Sequence, residues 1–328
     1  MRLTLIILFM GVLLAIPAVV LADAVFERES RGETAAYRVG TQFVWPEHPR
    51  AADPEAAVRV LAEAAVATGS NVLRTTVSTP RSGQKRIRHY VLLGRDGTAL
   101  CDGFVLAEGR WLSPVESRDS TATVSSVRAG ERDNVGVPAV FGDRYELTFA
   151  PLRRGLDSLP SPGRYVVESL DSAATGRFLA IVHQRLIEAG VDGLTIADLT
   201  PENARVPVEG SGYLEVLAYI LAGVATLVIA FILLREGKRI GVLRLVGFPA
   251  LRIWYKVVGR LQFASFFTGL VGCLAVSLAV PGGDTLFLRA LAITLGQVAA
   301  VTLVATLGVG LIIINRVRVS DLIKGSLQ

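Results

Sequence analysis

The chain has 328 residues, 51% of them hydrophobic, a mean hydropathy of +0.49 and a formal net charge of +5. That is too apolar for a water-soluble domain of this length and fits a membrane protein with a polar insert. The basic excess sits beside apolar runs, where the preference of Lys and Arg for cytoplasmic loops accounts for it. Zinc-finger and RNA-binding motifs are missing, so nucleic acid is excluded as a partner.

In chain order, Leu3 to Ala22 is a mostly apolar run behind Arg2, long enough to cross a bilayer. Two readings stand. Its length favours a retained first span (residues 1–24), while Ala22-Asp23-Ala24 has the small-x-small form of a signal-peptide cleavage site. Residues 25–210 form the polar insert, large enough for a core of its own. Asp53-Pro54-Glu55 predicts a helix start, Val58, Leu61, Ala62, Ala65 and Val66 recur at helical spacing, and Gly69 stops it. Strands are predicted over Asn71 to Thr79 and Arg86 to Leu93, joined by the turn Pro80-Arg81-Ser82-Gly83. A further strand over Gly163 to Leu170 leads to a helix carrying Phe178, Ile181, Val182, Leu186 and Ile187, closed near Gly190. Gly193 to Leu199 then reads as a strand, and with Thr41 to Trp45 as another the insert hints at a duplicated strand–helix–strand unit. Val105 to Val137 is rich in turn formers and charge.

The second apolar run is Tyr213 to Leu234 (domain bounds 211–234). A loop at 235–260 follows, then a third span at 261–280, an outer turn at 281–286, a fourth span at 287–315 and a tail at 316–328. Seven Lys or Arg and one acidic residue, Glu236, lie between Arg235 and Arg260. The outer turn Pro281-Gly282-Gly283-Asp284 has no basic residue, and the tail carries Arg316, Arg318 and Lys324. Arg289 counts singly against this asymmetry, which places the 235–260 loop and the C-terminus in the cytoplasm and the large domain outside. The predicted fold class is an α-helical membrane protein: four transmembrane helices with a large α+β extracytoplasmic domain inserted between helices 1 and 2.

Chemistry has few places to sit. The phosphate-cradling pattern GxxxxGK[ST] and the hydrolase elbow GxSxG are missing. His48, His89 and His183 are far apart and form no metal pair, and Cys101 falls in the outer domain while Cys273 falls within the third span, so neither a metal site nor a disulfide is expected. Catalysis and bound cofactors are not expected of this chain. No ionised side chain sits near the centre of a span, which argues against ion coupling, and the lack of a polar lumen argues against a pore. Gly269, Gly272, Gly296 and Gly308 give the third and fourth spans small-residue faces suited to helix packing or dimer contact.

Arg235-Glu236-Gly237-Lys238-Arg239-Ile240-Gly241-Val242-Leu243-Arg244-Leu245-Val246-Gly247-Phe248 stands between the second and third spans. It is basic and apolar on a broad face, and its bland interpretation is an interfacial helix that only orients the protein, with Arg239 and Arg244 left for contacts or lipid headgroups. The order of residues goes further. A basic cluster followed by Ile-Gly-x-Leu-Arg-x-x-Gly, here Arg239, Ile240, Gly241, Leu243, Arg244 and Gly247, resembles the signature after the second span of FtsX/MacB-type ABC-transporter permeases. Many members carry Glu where this chain has Arg239. Val319-Ser320-Asp321-Leu322-Ile323-Lys324-Gly325 resembles the tail of the bacteriocin-associated branch. Gly109-Arg110-Trp111-Leu112-Ser113-x-x-Glu116 resembles a segment of MacB-type outer domains, where its bland role is a strand end and turn with Trp111 packed inward.

The resemblance implies the permease subunit of a bacterial cytoplasmic (inner) membrane system, a homodimer or related heterodimer. A separate cytoplasmic ABC ATPase would hold the ATP and Mg²⁺. Arg239 to Phe248 would be the coupling helix, with Ile240, Leu243 and Val246 in a groove of the ATPase and Arg239 and Arg244 in charge-assisted contact. ATP-driven closure would rearrange the outer domain, carried outward by the first and second spans, for export or extraction of a peptide or lipoprotein. The alternative is a membrane-anchored receptor or regulator controlling an extracytoplasmic partner such as a cell-wall hydrolase, without transport.

Overall fold

A computed structural model of the chain describes residues 2–80, 83–119, 121–127, 133–200, 213–280, 282 and 285–316. The tail motif 319–325, most of the outer turn and the middle of the Pro80–Gly83 turn lie outside the described residues. The chain divides into two units, one from residues 1–27, 211–280 and 285–328, the other from 28–210 and 281–284.

The second unit is built on one mixed sheet of eight strands: β1 (Thr41–Trp45), β2 (Asn71–Ser78), β3 (Lys85–Leu93), β4 (Leu106–Gly109), β5 (Thr123–Ser125), β6 (Asn134–Pro138), β7 (Tyr145–Pro151) and β8 (Gly163–Glu168). Their spatial order is β1-β8-β2-β3-β7-β5-β6-β4. Among the described residues, the β3–β7 and β5–β6 pairs are parallel and the other pairs antiparallel. Helices α1 (Arg2–Val39), α2 (Pro54–Thr68), α3 (Ala99–Asp102), α4 (Glu116–Asp119), α5 (Leu152–Leu156), α6 (Ser172–Glu188) and α7 (Ile196–Leu199) complete it, α1 contributing its residues from Arg28 onward.

Local chemistry sets the helix ends. Asp53 accepts from the backbone N–H of Glu55 and Ala56, Pro54 opens α2, and Gly69 closes it in the left-handed conformation at φ 60°. One face of the sheet packs with α2 and α6 around Phe43, Trp45, Leu61, Leu92, Tyr165 and Phe178. The other face packs with the end of α1 around Ala36, Leu73, Ile87, Leu147, Phe149 and Val166. Lys85 bridges Glu29 and Glu33 of α1 at 2.5 and 2.6 Å, pinning that helix to the start of β3.

Three expectations for the insert change. Gly193 to Leu199 is not a strand: Thr195 and Asp198 form a reciprocal capping box, which starts α7. The duplicated unit therefore fails at its last strand. What exists is one split unit, β1–α2–β2, with β8 paired antiparallel to both of its strands. The turn-rich 105–137 stretch contributes β4, β5 and β6, strands too short to leave a readable alternation.

The first unit holds the first part of α1 and five further helices, α8 (Tyr213–Arg235), α9 (Gly237–Leu245), α10 (Ala250–Trp254), α11 (Arg260–Ala279) and α12 (Thr285–Arg316). Tyr255–Gly259 is a π turn joining α10 to α11, so the third long helix starts at Ala250 rather than at 261. Four helices are long and apolar enough to cross a membrane: Ile7–Val39, Tyr213–Arg235, Ala250–Ala279 and Phe287–Arg316. The fold thus combines four helices long and apolar enough to cross a membrane with a mixed α+β sheet domain inserted after the first of them.

Pro17, inside α1, meets α11 where a glycine admits it. A Cβ on Gly269 would lie 2.5 Å from Pro17 Cγ, and the Cys273 thiol donates to the Pro17 carbonyl at 3.4 Å. Between α11 and α12, the Thr306 hydroxyl donates to Gln262 Oε1 at 3.0 Å, both residues fully buried. A buried amide in an apolar bundle holds two helices in one register, since sliding would strip its partner.

Candidate functional site

The segment between α8 and α11 folds as an elbow. Helix α9 follows α8 after Glu236 and ends in a glycine cap: Gly247, at φ 86°, donates to the Arg244 carbonyl at 2.9 Å, and Phe248 N–H donates to the Leu243 carbonyl at 3.1 Å. That pair of bonds satisfies the last carbonyls of α9 and requires a left-handed residue at 247, which glycine alone adopts without strain. Pro249 follows, cannot extend the helix, and turns the chain into α10.

The Ile-Gly-x-Leu-Arg-x-x-Gly residues separate into two groups. Ile240 and Gly241 are buried within the chain, Ile240 completely. Arg244 donates from Nη1 to the carbonyls of Ile314 (2.9 Å) and Asn315 (3.4 Å), at the last turn of α12. A cation on the carbonyl end of a helix is electrostatically favourable, so this arginine ties the elbow to the fourth span. Leu243 is half-buried, and Phe248 lies under Lys256, whose Nζ is 4.1 Å from the ring centroid. Outward-facing are Val242, Leu245 and Val246, 58%, 63% and 69% exposed, with Lys238 and Arg239 beside them. Arg239 has Glu236 at 3.7 Å. The exposed apolar residues of α9 are therefore Val242, Leu245 and Val246; of Ile240, Leu243 and Val246, the face the family resemblance implies, Val246 is exposed, Leu243 is half-buried and Ile240 is buried.

Of the four glycines proposed for packing or dimer contact, Gly269 packs inside the chain against Pro17. Gly272, Gly296 and Gly308 are exposed, with open space where a Cβ would stand. Sequence reasoning missed Gln262 and Trp254. Trp254 is buried between glycines: a Cβ on Gly259 would come within 2.7 Å of its ring and one on Gly310 within 2.5 Å. The signal was present as a glutamine inside an apolar run and as glycines at 259 and 310, but nothing in the spacing pairs them.

In the sheet domain the Gly109–Glu116 segment is a structural staple. Gly109 sits at φ 79°, and a Cβ there would collide with the Val135 carbonyl oxygen. Glu116 accepts from Arg110 Nη1 and Nη2 (2.7 and 2.5 Å) and from the Ser113 N–H, while Ser113 Oγ accepts from Glu116 N–H, closing a capping box over α4. The Arg110 guanidinium and the Ser113 donors hold the Glu116 carboxyl at about 2. Trp111 packs edge-on against Phe149, ring centroids 5.0 Å apart. Glu168, 2% exposed, accepts from Asn71, Arg95, Thr98 and the Ala99 N–H, and so ties down the 94–99 loop. Burial pushes the Cys101 thiol up to about 12, far from nucleophilic. Among the described residues no three His, Cys, Asp or Glu side chains group as metal ligands.

No family model and no curated protein matches this chain.

Proposed function

We propose that this chain is the permease subunit of an FtsX/MacB-type ABC system in a bacterial cytoplasmic membrane, acting as a homodimer or with a related permease. A separate ATPase would supply the nucleotide chemistry, holding ATP and Mg²⁺. The observation that carries the proposal is the α9 elbow: three contiguous exposed aliphatic side chains, Val242, Leu245 and Val246, flanked by Lys238 and Arg239 on a connection between two long apolar helices. An exposed apolar patch rimmed by charge is the ordinary mark of a protein contact. Its supports fit transmission of force: Ile240 roots it in the helical unit and Arg244 fastens it to the end of α12.

The Lys and Arg of residues 235–260 favour a cytoplasmic elbow and, with it, an extracytoplasmic sheet domain. Export or extraction of a peptide or lipoprotein rests on the family resemblance alone. The test is Leu245→Asp with Val246→Asp in the full-length tagged protein. Both sites are exposed, so membrane insertion and oligomer size stay as in the wild type while a co-purifying nucleotide-binding subunit is lost. Retention of that subunit by the double variant overturns the docking assignment.

A further inference from the structure

The third long helix carries a second face that the docking reading leaves unused. It runs 30 residues, Ala250–Ala279. At 1.5 Å per residue that is about 45 Å, some 15 Å more than the hydrocarbon core. The apolar stretch from 261 onward suffices to cross the core, so the surplus is the first turns, from Ala250 through the π turn to Arg260. With that stretch in the core, these turns would stand at headgroup depth. Arg252, Lys256 and Arg260 recur there at intervals of four, all exposed, and none has an acidic partner among the described residues.

Two of these cations are gathered over one ring. Lys256 Nζ stands 4.1 Å from the Phe248 centroid and Arg252 Cζ 6.0 Å. The ring holds both cations in place by cation–π attraction without neutralising them. Leu251 (57% exposed), Tyr255, Phe263 and Phe267 (68%) continue from this cluster down the helix, the Tyr255 and Phe263 rings 6.3 Å apart. An unneutralised basic cluster therefore passes directly into an exposed apolar row on the same span.

We propose that the Arg252–Lys256–Arg260 cluster, with Phe248 and Tyr255, binds the headgroup of an anionic phospholipid whose acyl chains lie along Phe263 and Phe267. The phosphate would accept charge-assisted hydrogen bonds from the guanidinium and ammonium groups, and the aromatic rings would sit at the interface where such side chains concentrate. An acidic protein segment would satisfy the cations but not the apolar row, which within a bilayer only lipid or another span covers. This inference rests on Ala250–Ala279 crossing the membrane and not on ATPase docking.

The test uses the full-length chain reconstituted in phosphatidylcholine bilayers with trace spin-labelled phosphatidylglycerol or spin-labelled phosphatidylcholine, reading the motionally restricted fraction by electron paramagnetic resonance. Phosphatidylglycerol is selected over phosphatidylcholine, and added salt weakens the selection. Neutralising the cations in Arg252→Gln/Lys256→Gln/Arg260→Gln removes it, by roughly fivefold per cation. Arg252→Lys/Arg260→Lys, which keeps the charge, retains it, and so does Arg289→Gln, which removes an exposed cation elsewhere. Equal association of the two lipids, or an equal loss in Arg289→Gln, overturns the proposal.

Discussion

His89 is fully buried on β3, its Nδ1 2.8 Å from Thr75 Oγ1, with the Phe104 and Phe149 rings 5.8 and 5.0 Å away and the Gly32 backbone of α1 beside it. Burial lowers its imidazole from 6.5 to about 4. Well above pH 6.5 the ring is neutral in folded and unfolded chains alike and contributes no pH dependence. Between 6.5 and 4 the unfolded chain takes up a proton that the folded chain refuses, so stability falls on acidification, by about 3 kcal/mol in all. Thermal unfolding of the protein in detergent is expected to show that loss, and His89→Phe to flatten it. Glu116 acts in a lower window. Its depressed carboxyl adds stability that is complete above pH 4.5 and disappears as the pH falls toward 2. Glu116→Gln removes that lower segment and leaves the upper one. The effect is small, because Arg110 is well exposed to solvent.

At the level of the element, glycines that look alike in sequence do different work. Gly269→Ala places a methyl 2.5 Å from the Pro17 ring and forces α1 and α11 apart, whereas Gly272→Ala meets nothing. The first substitution is expected to cost about 1–3 kcal/mol and to lower the unfolding temperature in detergent, the second to leave it unchanged. Helices with strong punctuation are legible in the sequence. Asp53, Pro54 and Gly69 bound α2 because each satisfies or terminates a specific backbone group. Gly193 to Leu199 suggests a strand because Leu194 and Ile196 stand two apart, while the Thr195–Asp198 capping box decides for a helix at Ile196–Leu199. On α9, residue order located the elbow but not its outward face, since burial of Ile240 depends on neighbours remote in sequence. The lipid-facing cations were counted as part of a loop, because nothing in their spacing announces a π turn at Tyr255–Gly259.

For the molecule as a whole, hydropathy made the four long apolar helices legible, because it is a sum over many residues, and charge asymmetry gives the expected direction of each. The order of the sheet was not legible, since placing β8 between β1 and β2 depends on pairings between residues about 95 apart, such as Val72 with Val167. The central claim is that the elbow is the coupling point to a separate ATPase. The most direct measurement is affinity purification of the tagged full-length protein from its native membrane in mild detergent, followed by mass spectrometry. The account predicts a stoichiometric nucleotide-binding subunit that is lost in Leu245→Asp/Val246→Asp. A homo-oligomer free of any ATPase, or an ATPase whose association survives that change, would contradict it.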